Sequence, residues 1–98
     1  MSKKPNFKSY DVADYINSPE DVVAYLDAAF EDGDPAVIAA MIGAVARSKG
    51  MSAIAEQTGR SRESLYRALS AEGNPTLSTL VEVLKALGLR LSVVAEPA

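Results

Sequence analysis

Neither cysteine nor histidine occurs in the chain. Without cysteine there is no disulfide, and thiol chemistry is excluded. Without either residue a zinc site would have to be assembled wholly from carboxylates, so no metal is expected. Acid–base catalysis would rest on Asp, Glu, Lys or Tyr alone. There is no Gly-rich phosphate loop, and paired acids occur only at helix starts. The chain is therefore not expected to be an enzyme or to need a cofactor. Long hydrophobic runs are also missing. The longest, Ala36 to Ala46, is too short to span a bilayer, and Ser2 to Asn6 is polar and basic where a signal would be apolar. The expectation is a cytoplasmic protein with no membrane partner.

What is present suits a folded globule. Hydrophobic residues make up 48% of 98 residues and are spread along the chain, which argues against disorder. The length bounds the chain to one small domain. We expect a flexible basic arm over residues 1–9 and a single domain over residues 10–98. The net charge of −3 is unevenly placed. Residues 1–34 carry three Lys against eight acids, a balance of −5, whereas residues 35–98 carry seven bases against five acids, a balance of +2. From Arg47 to Arg67 the balance is +3. A local basic patch is what phosphate binding requires, whatever the charge of the whole chain. The acidic third reads either as a solvated face or as a docking surface for a basic partner.

Helix signals recur along the chain. Phe7 and Tyr10 are expected to anchor the arm, and Asp11 to Ile16 to form a short helix. Ser18-Pro19-Glu20-Asp21 combines a cap, a first-turn proline and acids at the positive end of the dipole. The helix it starts runs to about Phe30, with Val22, Val23, Leu26 and Phe30 on one face, and Gly33 stops it. Asp34-Pro35 repeats the signal before a helix that is apolar almost all round, as expected for the middle of a bundle. Gly43 inside it marks a close crossing. Gly50 ends it. Thr76 caps a last helix bearing Leu77, Leu80, Val81, Leu84 and Leu87, ended by Gly88. Residues 89–94 alternate with period two and read as one short C-terminal β-strand. A single strand cannot satisfy its own backbone. Leu89, Leu91 and Val93 are therefore expected to pair with a second copy, giving a homodimer, or with another protein.

The most informative segment is MSAIAEQTGRSRESLYRALS, residues 51–70. It reads as a helix-turn-helix. Ala55 suits a close helix crossing, Gly59 suits a turn with positive φ, and Ser61 caps a second helix whose apolar seam is Leu65 and Leu69. Ser61, Arg62, Glu63, Ser64, Tyr66 and Arg67 are left on a polar face suited to base edges and phosphates. Arg62 can donate twice to guanine, Glu63 can accept from cytosine, and Arg67 can reach a phosphate or a base. Ser52 is expected to cap the first helix of the motif, and it and Thr76 stand at helix starts, which suit phosphate; Arg60 adds charge in the turn. The bland alternative is that Arg62 and Arg67 pair with Glu63 or Glu56 on an ordinary surface. Tyr66 can pack or point at DNA, and the lysines of the arm read first as a solubilising tail.

These residues resemble a known family. RESLYRALSAEGNPTLSTLVEVLKALGLRL (Arg62 to Leu91), the opening Tyr10 to Ile16, Ser18-Pro19-Glu20-Asp21 and Gly33-Asp34-Pro35-Ala36 are similar to HigA-like antidote proteins of chromosomal toxin–antitoxin modules. The resemblance runs from about Phe7 to Val94. That class has a Cro/repressor-type helix-turn-helix, although Ala53-Ile54 stands where many broader repressor-type domains carry a polar pair. The resemblance implies an all-α domain of about five helices. It also implies an antitoxin that neutralises a small basic toxin of RelE/ParE-like fold. As a dimer on operator DNA it would repress its own operon. The competing readings are a stand-alone helix-turn-helix repressor without a toxin and a protein-interaction domain that keeps the motif as scaffold.

Overall fold

The computed structural model describes residues 16–97. The expected arm and nearly all of the expected helix from Asp11 to Ile16 lie outside the described residues. Five helices occur among those described: α1 (Pro19–Asp32), α2 (Pro35–Lys49), α3 (Met51–Thr58), α4 (Arg62–Ala68) and α5 (Leu77–Ala86). The fold is all-α, as the periodicity and the caps predict.

Local hydrogen bonds place most of the boundaries. Ser18 Oγ accepts from the Asp21 N–H at 3.2 Å, with Pro19 opening α1. Asp34 Oδ1 accepts from the Ala36 N–H at 2.9 Å, with Pro35 opening α2. Thr76 Oγ1 accepts from the Thr79 N–H at 3.2 Å and opens α5. Each side chain satisfies an amide that helix geometry leaves without a carbonyl. At the far end of α5, the Leu89 N–H donates to the Leu84 carbonyl at 2.8 Å and the Gly88 N–H to the Lys85 carbonyl at 2.9 Å. This is the Schellman pairing, and it lays Leu89 against the core.

Helix α3 starts differently from expectation. Ser52 is not its cap; it sits within the helix, exposed, and α3 has no side-chain cap. The reason is Gly50, which closes one helix and opens the next. Its N–H donates to the Ala46 carbonyl at 3.0 Å, and its own carbonyl accepts from Ala53 and Ile54. Its φ of 108° is one that a side chain disfavours. The axes of α2 and α3 bend by 104° at this residue.

Helix α2 is the centre of the core. Its Ile42, Val45 and Ala46 share one buried cluster with Val22 and Leu26 of α1, Met51 and Ile54 of α3, Leu65 of α4 and Leu69 at its end, and Val83 and Leu84 of α5. It packs on α1, α3 and α4, while α5 joins chiefly through α3. Neighbours on several sides explain why its apolar residues run almost all round. No single helix among the described residues is long and apolar enough to cross a membrane. Gly43 lies where a Cβ would collide with the backbone carbonyl of Leu69. The close crossing expected at this glycine is therefore α2 against the end of α4.

Two apolar faces are narrower than their spacing suggests. On α1, Val22, Leu26 and Ala29 are buried, but Val23 and Phe30 are exposed. Among the described residues helix α1 packs closely on α2 alone, and one neighbour covers one stripe of side chains. On α5, Leu77 and Val81 are exposed while Thr79 and Val83 are buried.

Residues 89–94 do not form the expected strand; residues 89–97 carry no regular secondary structure. A strand needs a ladder partner for its amides and carbonyls, and no other strand forms among the described residues. Leu89 is used by the core instead, and Val93 and Val94 stand in solvent.

Candidate nucleic-acid interface

The corner between α3 and α4 is built from short-range signals. The Gly59 N–H donates to the Ala55 carbonyl at 2.9 Å and the Arg60 N–H to the same oxygen at 3.2 Å. Gly59 has φ 72°, the left-handed region that a glycine enters without penalty. Ala55 packs half-buried against the core. Ser61 then caps α4. Its Oγ accepts from the Ser64 N–H at 3.0 Å, and Ser64 Oγ donates back to the Ser61 carbonyl at 3.0 Å.

Helix α4 has only seven residues, too few to persist without packing. Leu65 and Leu69, at 1% and 0% exposure, hold it to the core. Because the helix is short, its cap counts. Ser61→Ala should destabilise the protein by about 1 kcal/mol. The expected readout is a lower urea midpoint with an unchanged m value. An unmoved midpoint would show that the cap does not hold α4.

With the two leucines inward, the opposite side of α4 faces solvent. Ser61, Arg62, Glu63 and Arg67 are exposed, Ser64 is half-buried, and Tyr66 is 39% exposed. Neither Arg62 nor Arg67 takes part in an ion pair among the described residues, so the expected alternative of pairing with Glu63 or Glu56 is not seen. Arg47 and Lys49, at the end of α2, are also exposed.

Arg60 is placed differently. Its Nε donates to Glu82 Oε1 at 3.0 Å and its Nη2 donates to Ser78 Oγ at 3.4 Å. The turn is thereby tied to α5. No signal in the sequence marks Glu82 or Ser78 as partners of the turn. They lie 22 and 18 residues from Arg60, and no local spacing links them to the turn. Of the two expected phosphate positions, Ser52 is an exposed position within α3, while the Thr76 hydroxyl is already engaged with Thr79 and lies 3.3 Å from Ser78 Oγ. Leu89, Leu91 and Val93 belong to the C-terminal segment, outside this face. No group of acidic side chains among the described residues is placed to hold a metal ion.

The outcome is a convex helix face that begins at its N-terminal cap. It offers two guanidiniums that have no ion pair among the described residues, a carboxylate, two hydroxyls and a half-exposed phenol. Such a face holds donors for guanine edges and phosphates and an acceptor for cytosine.

The model of the family described as "Probable addiction module antidote protein" matches residues 6–95. A protein of Haemophilus influenzae (strain ATCC 51907 / DSM 11121 / KW20 / Rd), itself called "Uncharacterized protein", is 42% identical over 86 residues, covering 88% of this chain and 89% of its own length. No solved structure matches the chain.

Proposed function

The chain belongs to the family of probable addiction module antidote proteins, and from that premise we propose that it is a DNA-binding antitoxin of the HigA-like type. In this reading α3 and α4 are a Cro/repressor-type helix-turn-helix, and α4 is the recognition helix. It enters the major groove with Ser61 and Arg62 leading. Arg62 and Glu63 address base edges, and Tyr66 and Arg67 lie a turn behind. The observation that supports this most directly is the solvent-facing side of α4, with Arg62 and Arg67 in no ion pair among the described residues while Leu65 and Leu69 are buried.

Repression of its own operon needs two recognition helices about one DNA turn apart, roughly 34–36 Å. The proposed dimer pairs residues 90–94, with Leu91 and Val93, with their counterparts in a second copy; Leu89, held by the core and bonded to the Leu84 carbonyl, is not part of it. The segment alternates in pattern, has no ladder among the described residues, and leaves Val93 93% exposed.

The toxin is proposed to be a small basic protein of RelE/ParE-like fold, held through the acidic side of the molecule. Helix α1 carries Glu20, Asp21, Asp27, Glu31 and Asp32 and no basic residue. Opposite charge speeds encounter with a basic partner and disfavours wrong ones. The same charge keeps α1 away from a duplex, so toxin and operator would occupy different faces.

The experiment is co-expression with the adjacent reading frame, followed by purification and a gel shift on the DNA upstream of the operon. A basic protein that co-purifies in a complex able to shift that DNA is the expected result. A gel shift without a co-purifying partner leaves a stand-alone repressor. Co-purification without a shift leaves an interaction domain that keeps the fold as scaffold.

A further inference from the structure

We propose that Glu82 withholds one cation from the DNA-binding face, acting through Arg60 to keep down affinity for DNA of any sequence. The inference rests on the DNA-binding reading above. Arg60 immediately precedes Ser61, the cap of the helix that would point into the groove. A free guanidinium there would stand beside the phosphates that flank the groove and add a contact without sequence information. In the structure it is engaged on two sides, by Glu82 Oε1 at 3.0 Å and by Ser78 Oγ at 3.4 Å.

The pair is at the surface, with side-chain exposures of 32% and 43%. A phosphate approaching the turn therefore meets a carboxylate beside the guanidinium, and the pair carries no net charge. Arg62 and Arg67 have no such partner among the described residues. The consequence is a division of labour among three neighbouring arginines. Phosphate contacts supply binding to any duplex, whereas base contacts supply discrimination. Cancelling the charge in the turn lowers the first and leaves the second intact. Glu82 is thus a specificity determinant that need not touch DNA.

Glu82→Gln removes the charge and keeps the side-chain shape. Fluorescence anisotropy with a random-sequence duplex and with the upstream operon duplex, from 50 to 200 mM salt, reads the effect. For each arginine released, the slope of log affinity against log salt should steepen by about 0.9, an extra loss of roughly threefold to fourfold over that range. Random DNA should bind more tightly at low salt, and the operator-to-random ratio should fall. Glu82→Ala should do the same. Arg60→Ala/Glu82→Gln should return the slope to that of the unmodified chain.

An unchanged slope in both Glu82 variants overturns the proposal. So does a steepening that survives in the double variant, because loss of negative charge alone would then account for it. If the unmodified chain binds neither duplex at any salt, the DNA-binding reading fails and this inference falls with it. That outcome is distinct from normal binding with an unmoved slope.

Discussion

Gly43→Ala should leave the protein substantially less stable, although alanine is the better helix former. The two effects oppose each other. Replacing a mid-helix glycine gains about 1 kcal/mol of helix propensity. The added methyl would collide with the Leu69 carbonyl oxygen and stand 3.1 Å from both its carbonyl carbon and its Cβ. Backbone cannot rotate aside as a side chain can, so α2 and the end of α4 must separate. Overpacking of this kind costs about 3 kcal/mol, toward the upper end of its usual range.

The net loss is about 2 kcal/mol, a sizeable part of the 5–15 kcal/mol that holds a typical domain. For a chain of this size it corresponds to a fall in Tm of roughly 8–16 °C. Thermal unfolding followed by circular dichroism is the measurement. A Tm equal to or above that of the unmodified protein would show that α2 and α4 are not in backbone contact. The effect should also reach function, because Leu69 is one of the two leucines that seat α4.

The second large effect is on DNA binding. Arg62→Ala should weaken operator binding by at least tenfold and leave binding to random DNA nearly unchanged. One bidentate arginine–guanine contact carries about 1–3 kcal/mol of discrimination, and a dimer loses it in both half-sites. Arg67→Ala should weaken both kinds of duplex and make the salt dependence shallower by about 0.9 for each phosphate contact removed. Both side chains are exposed and unpaired among the described residues, so neither substitution should move Tm. Anisotropy titrations with the two duplexes at several salt concentrations separate the cases. Equal losses on operator and random DNA in Arg62→Ala would take that residue out of base reading. Unaltered affinity and slope in Arg67→Ala would remove it from the interface.

Much of this architecture was legible before any coordinates. Ser18, Asp34, Ser61 and Thr76 cap helices because an oxygen two or three residues before an amide is within reach by chain geometry alone. Gly59 and Gly88 end or turn helices through bonds to carbonyls four or fewer residues upstream. The polar side of α4 could be read from Leu65 and Leu69, since two apolar residues four apart orient a short helix.

The departures from local expectation have different causes. Ser52 has the chemistry of a cap, but Gly50, at φ 108°, opens α3 with its own carbonyl, which accepts from Ala53 and Ile54. Val23 and Phe30 share a face with Leu26 by helical spacing, but spacing does not say how many neighbours a helix has. The alternation from Leu89 to Val93 carries a strand pattern, yet a strand is a property of a pair.

Helix positions, most of their ends and the outward aspect of Arg62 and Arg67 thus follow from the order of the residues, because the interactions involved close within about one helical turn. Three other features come from the packing of distant segments: the tight seat of Gly43 under Leu69, the exposure of Val23 and Phe30, and the capture of Arg60 by Glu82. Each depends on residues far apart along the chain, and nothing in local periodicity encodes which of them will meet.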